Sequence, residues 1–191
     1  MSLNLRRFTV AVFGFDAVVR RVPADGWDAP SPCPGWTARH VVGHQIGVLR
    51  NVSRLARQAE RDPAEPTDEL AIAGDDPAAT WAAFADDLFA AIDRPGVLQR
   101  VVETPFGTMP IDDFLGAMVI DPLAHTWDLA VATGQPPALD AGLAAEATAV
   151  VLAFEAAFRA PGRLGPAVEV SDDADAVTRF VATMGRDPDL A

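Results

Sequence analysis

Apolar residues recur along most of the chain at three- and four-residue spacing, the pattern of helices that bury one face. Leu5, Phe8, Val12, Phe15, Val19 and Val22 share such a face and predict a first helix ending near Pro23. Ser31-Pro32-Cys33-Pro34-Gly35 cannot be regular structure and reads as a tight loop. Thr37 then stands where an N-cap belongs, ahead of Val41, His44, Val48, Val52 and Leu55, which predict a second helix to about Gln58. The Pro-, Asp- and Glu-rich stretch Asp62–Asp76 reads as a solvated loop. Asp76-Pro77 is a helix start, and Trp81, Phe84, Ala85, Leu88, Phe89 and Ile92 form the cleanest amphipathic pattern in the chain, stopped by Pro95-Gly96. Between Val97 and Pro110 the spacing changes, and Val101, Val102, Thr104 and Phe106-Gly107-Thr108 predict a short extended segment or hairpin.

Asp112 or Asp113 can cap a fourth helix from Phe114 to about Thr133, kinked at Pro122 and closed by Gly134. Asp140 caps a fifth, with Leu143, Ala147, Val150, Val151, Phe154 and Phe158 on one face. Pro161–Pro166 reads as a turn-rich exit, and Asp172–Gly185 as a last short helix carrying Val177, Phe180, Val181 and Met184. There is no repeat and no linker, so residues 1–191 are read as a single domain. The expected fold is all-α: an up-down four-helix bundle with a short extended hairpin and an irregular C-terminal tail.

Charge narrows the choice of partners. The formal net charge is -12, and every one of the 15 basic residues is arginine. Such a surface repels phosphate backbones and anionic lipid, so neither nucleic acid nor membrane is an expected partner. Cys33 is the one cysteine and cannot form an internal disulfide, which fits a reducing compartment. Arg6-Arg7-Phe8 faintly resembles a twin-arginine export signal, but Asp16 interrupts the apolar stretch and the segment reads better as an amphipathic helix. The expected location is cytoplasmic.

Candidate chemistry rests on three histidines, His40, His44 and His125. His44 lies on the apolar stripe of the second predicted helix and points into the bundle, whereas His40 falls towards the edge of that stripe. Asp121 and His125 are four residues apart and project from one face of the fourth helix. A carboxylate aimed into an apolar bundle is costly unless it is paired or bound to a metal. Two histidines and a carboxylate would leave coordination positions open for water or substrate, with Zn, Fe(II) and Ni(II) all compatible. The bland alternatives are a core histidine satisfied by a backbone carbonyl, and Asp121 acting as the N-cap of a new helix with Pro122 at its first position. Asp128, one turn after His125, reads either as a group that orients a ligating histidine or as a surface carboxylate. Cys33 reads first as a small buried hydrophobe, and Trp36 and Trp127 as core residues or pocket walls.

Two segments carry a resemblance. Pro32-Cys33-Pro34-Gly35-Trp36-Thr37, followed by Val41-Val42-Gly43-His44, resembles the first signature of the mycothiol-dependent maleylpyruvate isomerase N-terminal domain family. Asp121 to Gly134 resembles its second, a carboxylate-x-x-x-His-x-Trp-Asp-Leu-Ala segment, and the ending Val168–Pro188 resembles an uncharacterised actinobacterial branch. The resemblance implies a DinB-like, YfiT-like bundle with a divalent metal, zinc foremost and nickel or iron as alternatives, held by His44, Asp121 and His125. His40 matches no ligand position of the family, and Asp121 stands where the family usually has Glu. It further implies a metal-dependent enzyme that uses a low-molecular-weight thiol such as mycothiol, a transferase or isomerase acting on a small molecule, with a homodimer as one assembly. A metal-dependent hydrolase and a non-catalytic, metal-stabilised binding or stress module are the other readings.

Overall fold

The computed structural model describes residues 1–159 and 164–191, so the first half of the turn expected at Pro161–Pro166 lies outside the described residues. The chain is mostly helical, with one small two-stranded sheet. Helix α1 (Leu3–Val19) is capped by Ser2 and buries Phe8, Ala11, Val12, Phe15, Val18 and Val19. Asp16, the charge that interrupts its apolar run, pairs with Arg20 and accepts from the Trp81 indole N–H at 3.1 Å. Helix α2 (Ala38–Arg57) starts at Thr37 as expected. His40 has a structural role there, its Nδ1 accepting the Thr37 backbone N–H at 3.1 Å.

The stretch read as a solvated loop contains a further helix, α3 (Glu69–Ala73), capped by Asp68 and burying Ile72 and Ala73. At five residues it is too short to show a period. It packs on α2 at Gly43, where a Cβ would overlap the Glu69 carbonyl oxygen. Helix α4 (Pro77–Ile92) begins at the Asp76 cap and buries Trp81, Ala85, Leu88, Ala91 and Ile92. Strands β1 (Val101–Thr104) and β2 (Gly107–Pro110) form the expected hairpin, with Val101 opposite Pro110 and Thr104 opposite Gly107.

The single kinked fourth helix is two helices, α5 (Ile111–Ala117) and α6 (Ile120–Ala132). Pro122 has no N–H to donate to the Met118 carbonyl, and its ring crowds that carbonyl, so the chain breaks at Met118-Val119 instead of bending. Asp121 caps neither helix; it lies in the first turn of α6. Helix α7 (Ala141–Ala153) is capped by Asp140 and buries Leu143, Ala144, Ala147 and Val151. The face drawn through Val150 and Phe154 is not buried: the two are 44% and 63% exposed, and the helix breaks at Phe154 before a short α8 (Glu155–Phe158).

Helix α9 (Ala176–Thr183), within the last helix expected, covers α7 with Phe180, Val181 and Met184 buried. The core lies where α1 and α2 each pack against α4 and α6, with Phe15 edge-on to Trp81 at 4.7 Å between ring centres. No helix among the described residues is long and apolar enough to cross a membrane.

Candidate metal centre

Helices α2 and α6 meet at the ends that carry the chemistry. His44 projects from α2, and Asp121 and His125 from one face of α6. His44 Nε2 lies 3.6 Å from Asp121 Oδ2, and His125 Nε2 lies 3.7 Å from Asp121 Oδ1. These gaps are too long for good hydrogen bonds. Ligands about 2.0–2.2 Å from a tetrahedral ion stand roughly 3.3–3.6 Å apart, and the two separations lie close to that spacing, each to a different oxygen of Asp121. One ligand atom from each residue falls within 4.8 Å of the others.

The group is not sealed. His44 and Asp121 keep 25% and 34% of their side-chain surface exposed, so His44 stands at the rim of the helix pair and not deep in the core. The buried stripe of α2 runs instead through Val41, Val42, Gln45, Ile46, Leu49 and Val52, turned slightly from the face drawn on the sequence. Gln45 is fully buried, and its amide N–H donates to Asp121 Oδ2. Burial opposes ionisation of Asp121, but His125, His44 and Gln45 outweigh it and hold its pKa down at about 2. Burial likewise opposes protonation of His44, yet the Asp121 carboxylate prevails and its pKa is raised.

Trp36, from the Pro-rich loop, covers the pair, with ring centres 5.0 Å from His44 and 5.9 Å from His125. That loop is held by Ser31 N–H to the Trp36 carbonyl and by Gly35 at a φ of 79°, where a side chain would be strained. Trp127 is a core residue, 2% exposed.

Residues 11–130 match the model of the mycothiol maleylpyruvate isomerase N-terminal domain family. The chain belongs to that family. The span holds His44, Asp121, His125, Trp36, Cys33 and Asp128. Among similar proteins, the uncharacterised protein Rv0738 of Mycobacterium tuberculosis is 37% identical over 150 residues, 78% of each chain. The uncharacterised protein Rv0036c of the same organism is 40% identical over 72 residues, 38% of this chain and 25% of its own. No solved structure matches the chain.

Behind the family's second signature lies a layer of which the sequence offered only Asp128, as one of two readings. Asp128 is not a surface carboxylate; it is fully buried. Its Oδ2 lies 2.9 Å from His125 Nδ1, a close polar contact without the linear geometry of a full hydrogen bond. Arg186, beyond the matched span, grips both Asp128 oxygens, at 3.1 Å through Nε and 2.8 Å through Nη2. Burial opposes charge on both partners, but the pairing wins: Asp128 is held well below the usual carboxylate range and Arg186 is pushed above its ordinary value. The Cys33 thiol donates to Asp128 Oδ2 at 3.2 Å, and burial, with the Asp128 charge, raises its pKa to about 12. Cys33, His125 and Asp128 are also close enough to hold an ion, but the Arg186 guanidinium already supplies the positive charge there. A signal for Asp128 existed in its three-residue spacing from His125; none pointed to Arg186 or to Gln45.

Proposed function

We propose that the chain binds one divalent metal ion, zinc foremost, through His44, Asp121 and His125, and that it is a metal-dependent enzyme using a low-molecular-weight thiol of the mycothiol type. The observation that carries this reading is the convergence of two imidazole Nε2 atoms and one carboxylate from α2 and α6, within the part of the chain that matches the family. A bound divalent ion supplies a Lewis acid that favours the thiolate of a coordinated thiol at neutral pH.

The chain's own residues set the conditions. Asp128, ionised and facing Nδ1 of His125, favours the proton on that nitrogen and leaves the Nε2 lone pair towards Asp121 and His44. Gln45 fixes the Asp121 carboxylate from the buried side. The partial exposure of His44 and Asp121 supports an open coordination position over a closed structural site. Cys33, held as a neutral thiol, is no nucleophile, so the reacting sulfur comes from outside the chain. In the same reading α1, α2, α4 and α6 are the helices of an up-down bundle of the DinB kind, and the protein acts in the cytoplasm on a small molecule, without nucleic acid.

Elemental mass spectrometry of tag-free protein, beside His44→Ala and His125→Ala, tests the metal. Near-stoichiometric zinc in the parent, lost in both folded variants, is expected. A parent that takes up neither zinc, nickel nor iron(II) would overturn the reading. Transfer from a mycothiol-type thiol to an electrophile, absent in the same variants, is expected next; turnover that needs no thiol would replace it with hydrolysis.

A further inference from the structure

A cleft of about 340 Å³ opens beside His44, lined by α2, by the segment before α3, and by α3 itself. Its charge departs from that of the chain. Acidic residues outnumber basic ones by 27 to 15 overall, yet Arg50, Arg54 and Arg61 converge here against Glu65 and Glu69. Arg54 Nη2 is engaged by Glu65 at 2.9 Å, while its Nε is buried with no partner. Arg50 and Arg61 make no ion pair or side-chain hydrogen bond among the described residues. An orphaned buried donor is costly, and Arg54 is itself one of the residues that line the cleft. Guanidinium forks match the oxygens of carboxylates and phosphoryl groups, and a low-dielectric cleft focuses their field.

We infer that this cleft is an oxyanion subsite, which takes the carboxylate or phosphoryl end of an elongated small-molecule substrate whose other end reaches His44. Arg50 and Arg61 hold the anion, and the Arg54 Nε–H completes it. The positions set a length. Arg50 and Arg54 follow His44 by six and ten residues on one helix, a rise of about 9 Å and about 15 Å. The anionic group therefore sits two to three helical turns from the reacting end, with Gly47 and Val48 as the floor between them. The inference names the substrate class for the site proposed above and rests on that reading only for the end at His44.

The test uses the whole chain labelled with 15N-arginine, in zinc-free and zinc-loaded form. Inorganic phosphate and, separately, acetate are titrated at constant ionic strength against a chloride control, and the Arg54 Nε–H resonance is followed. A saturable shift is expected, weakened at least fivefold by Arg50→Gln and by Arg61→Gln, with zinc content unchanged and Arg50→Lys restoring part of the affinity. Saturation by phosphate alone assigns a phosphoryl source, and by acetate alone a carboxylate. A response that matches chloride, or one that survives both substitutions, overturns the subsite. Saturable phosphate binding in a parent that takes up no zinc would leave the subsite standing and remove the metal reading; zinc held by His44 and His125 with no anion response would do the reverse.

Discussion

Asp128 governs three neighbours at once. It faces His125, accepts from Arg186, and receives the Cys33 thiol proton in a hydrogen bond. Removing one partner of a buried ion pair strands the other, so Asp128→Ala should cost about 3–5 kcal/mol of stability, read from urea unfolding. Its pH signature has a definite sign. The folded-state pKa lies below the ordinary value, so the stabilisation is complete above about pH 4 and is lost as pH falls from there through the folded-state pKa. Asp128→Asn should flatten that acid limb, measured as urea midpoints of zinc-free protein across the range. Cys33 offers a second check. With its pKa near 12, its thiolate fraction at pH 8 falls about a thousandfold, and its reaction with iodoacetamide should slow by about that factor relative to the unfolded chain. A rate equal to that of the unfolded chain would mean that Asp128 does not hold the thiol.

The element boundaries record what sequence can convey. Helices α1, α2 and α4 were legible because each carries a long apolar stripe and two of them begin at caps visible as Thr37 and Asp76-Pro77. Helix α3 was hidden because five residues span little more than one turn. The split of α5 from α6 could be read only as a kink, since Pro122 states that a hydrogen bond is missing but not how far the chain yields. His44, Asp121 and His125 could be brought together from spacing and from two signatures, whereas the Arg186 contact spans 58 residues and leaves no local pattern. One prediction belongs at this scale. Gly43→Ala puts a Cβ against the Glu69 carbonyl and should push α3 from α2, at about 1–3 kcal/mol, read from the urea midpoint. Because Glu69 lines the cleft beside His44, the same variant should also alter the Arg54 Nε–H resonance.

At the scale of the molecule, the described C-terminal segment is structural and not a loose appendage. Helix α9 buries Phe180, Val181 and Met184 against α7, and Arg186 reaches from its end to Asp128 on α6. A chain cut after residue 159 should expose that face of α7 and leave Asp128 without its cation. It should melt less cooperatively and bind the dye ANS more strongly than the parent; an unchanged melting curve would show that the segment adds nothing to the rest.

The Arg186–Asp128 pair also imposes an order on synthesis. The chain grows from its N-terminus, so His44, Asp121 and His125 have all been made while Arg186 is still to come. Until it arrives, Asp128 has no guanidinium to offset its burial, and the neighbouring helices cannot close over it as an ion without that cost. The growing chain therefore holds all three candidate ligands before it can finish the layer behind them, and the arrival of Arg186 sets when Asp128 can be closed over as an ion.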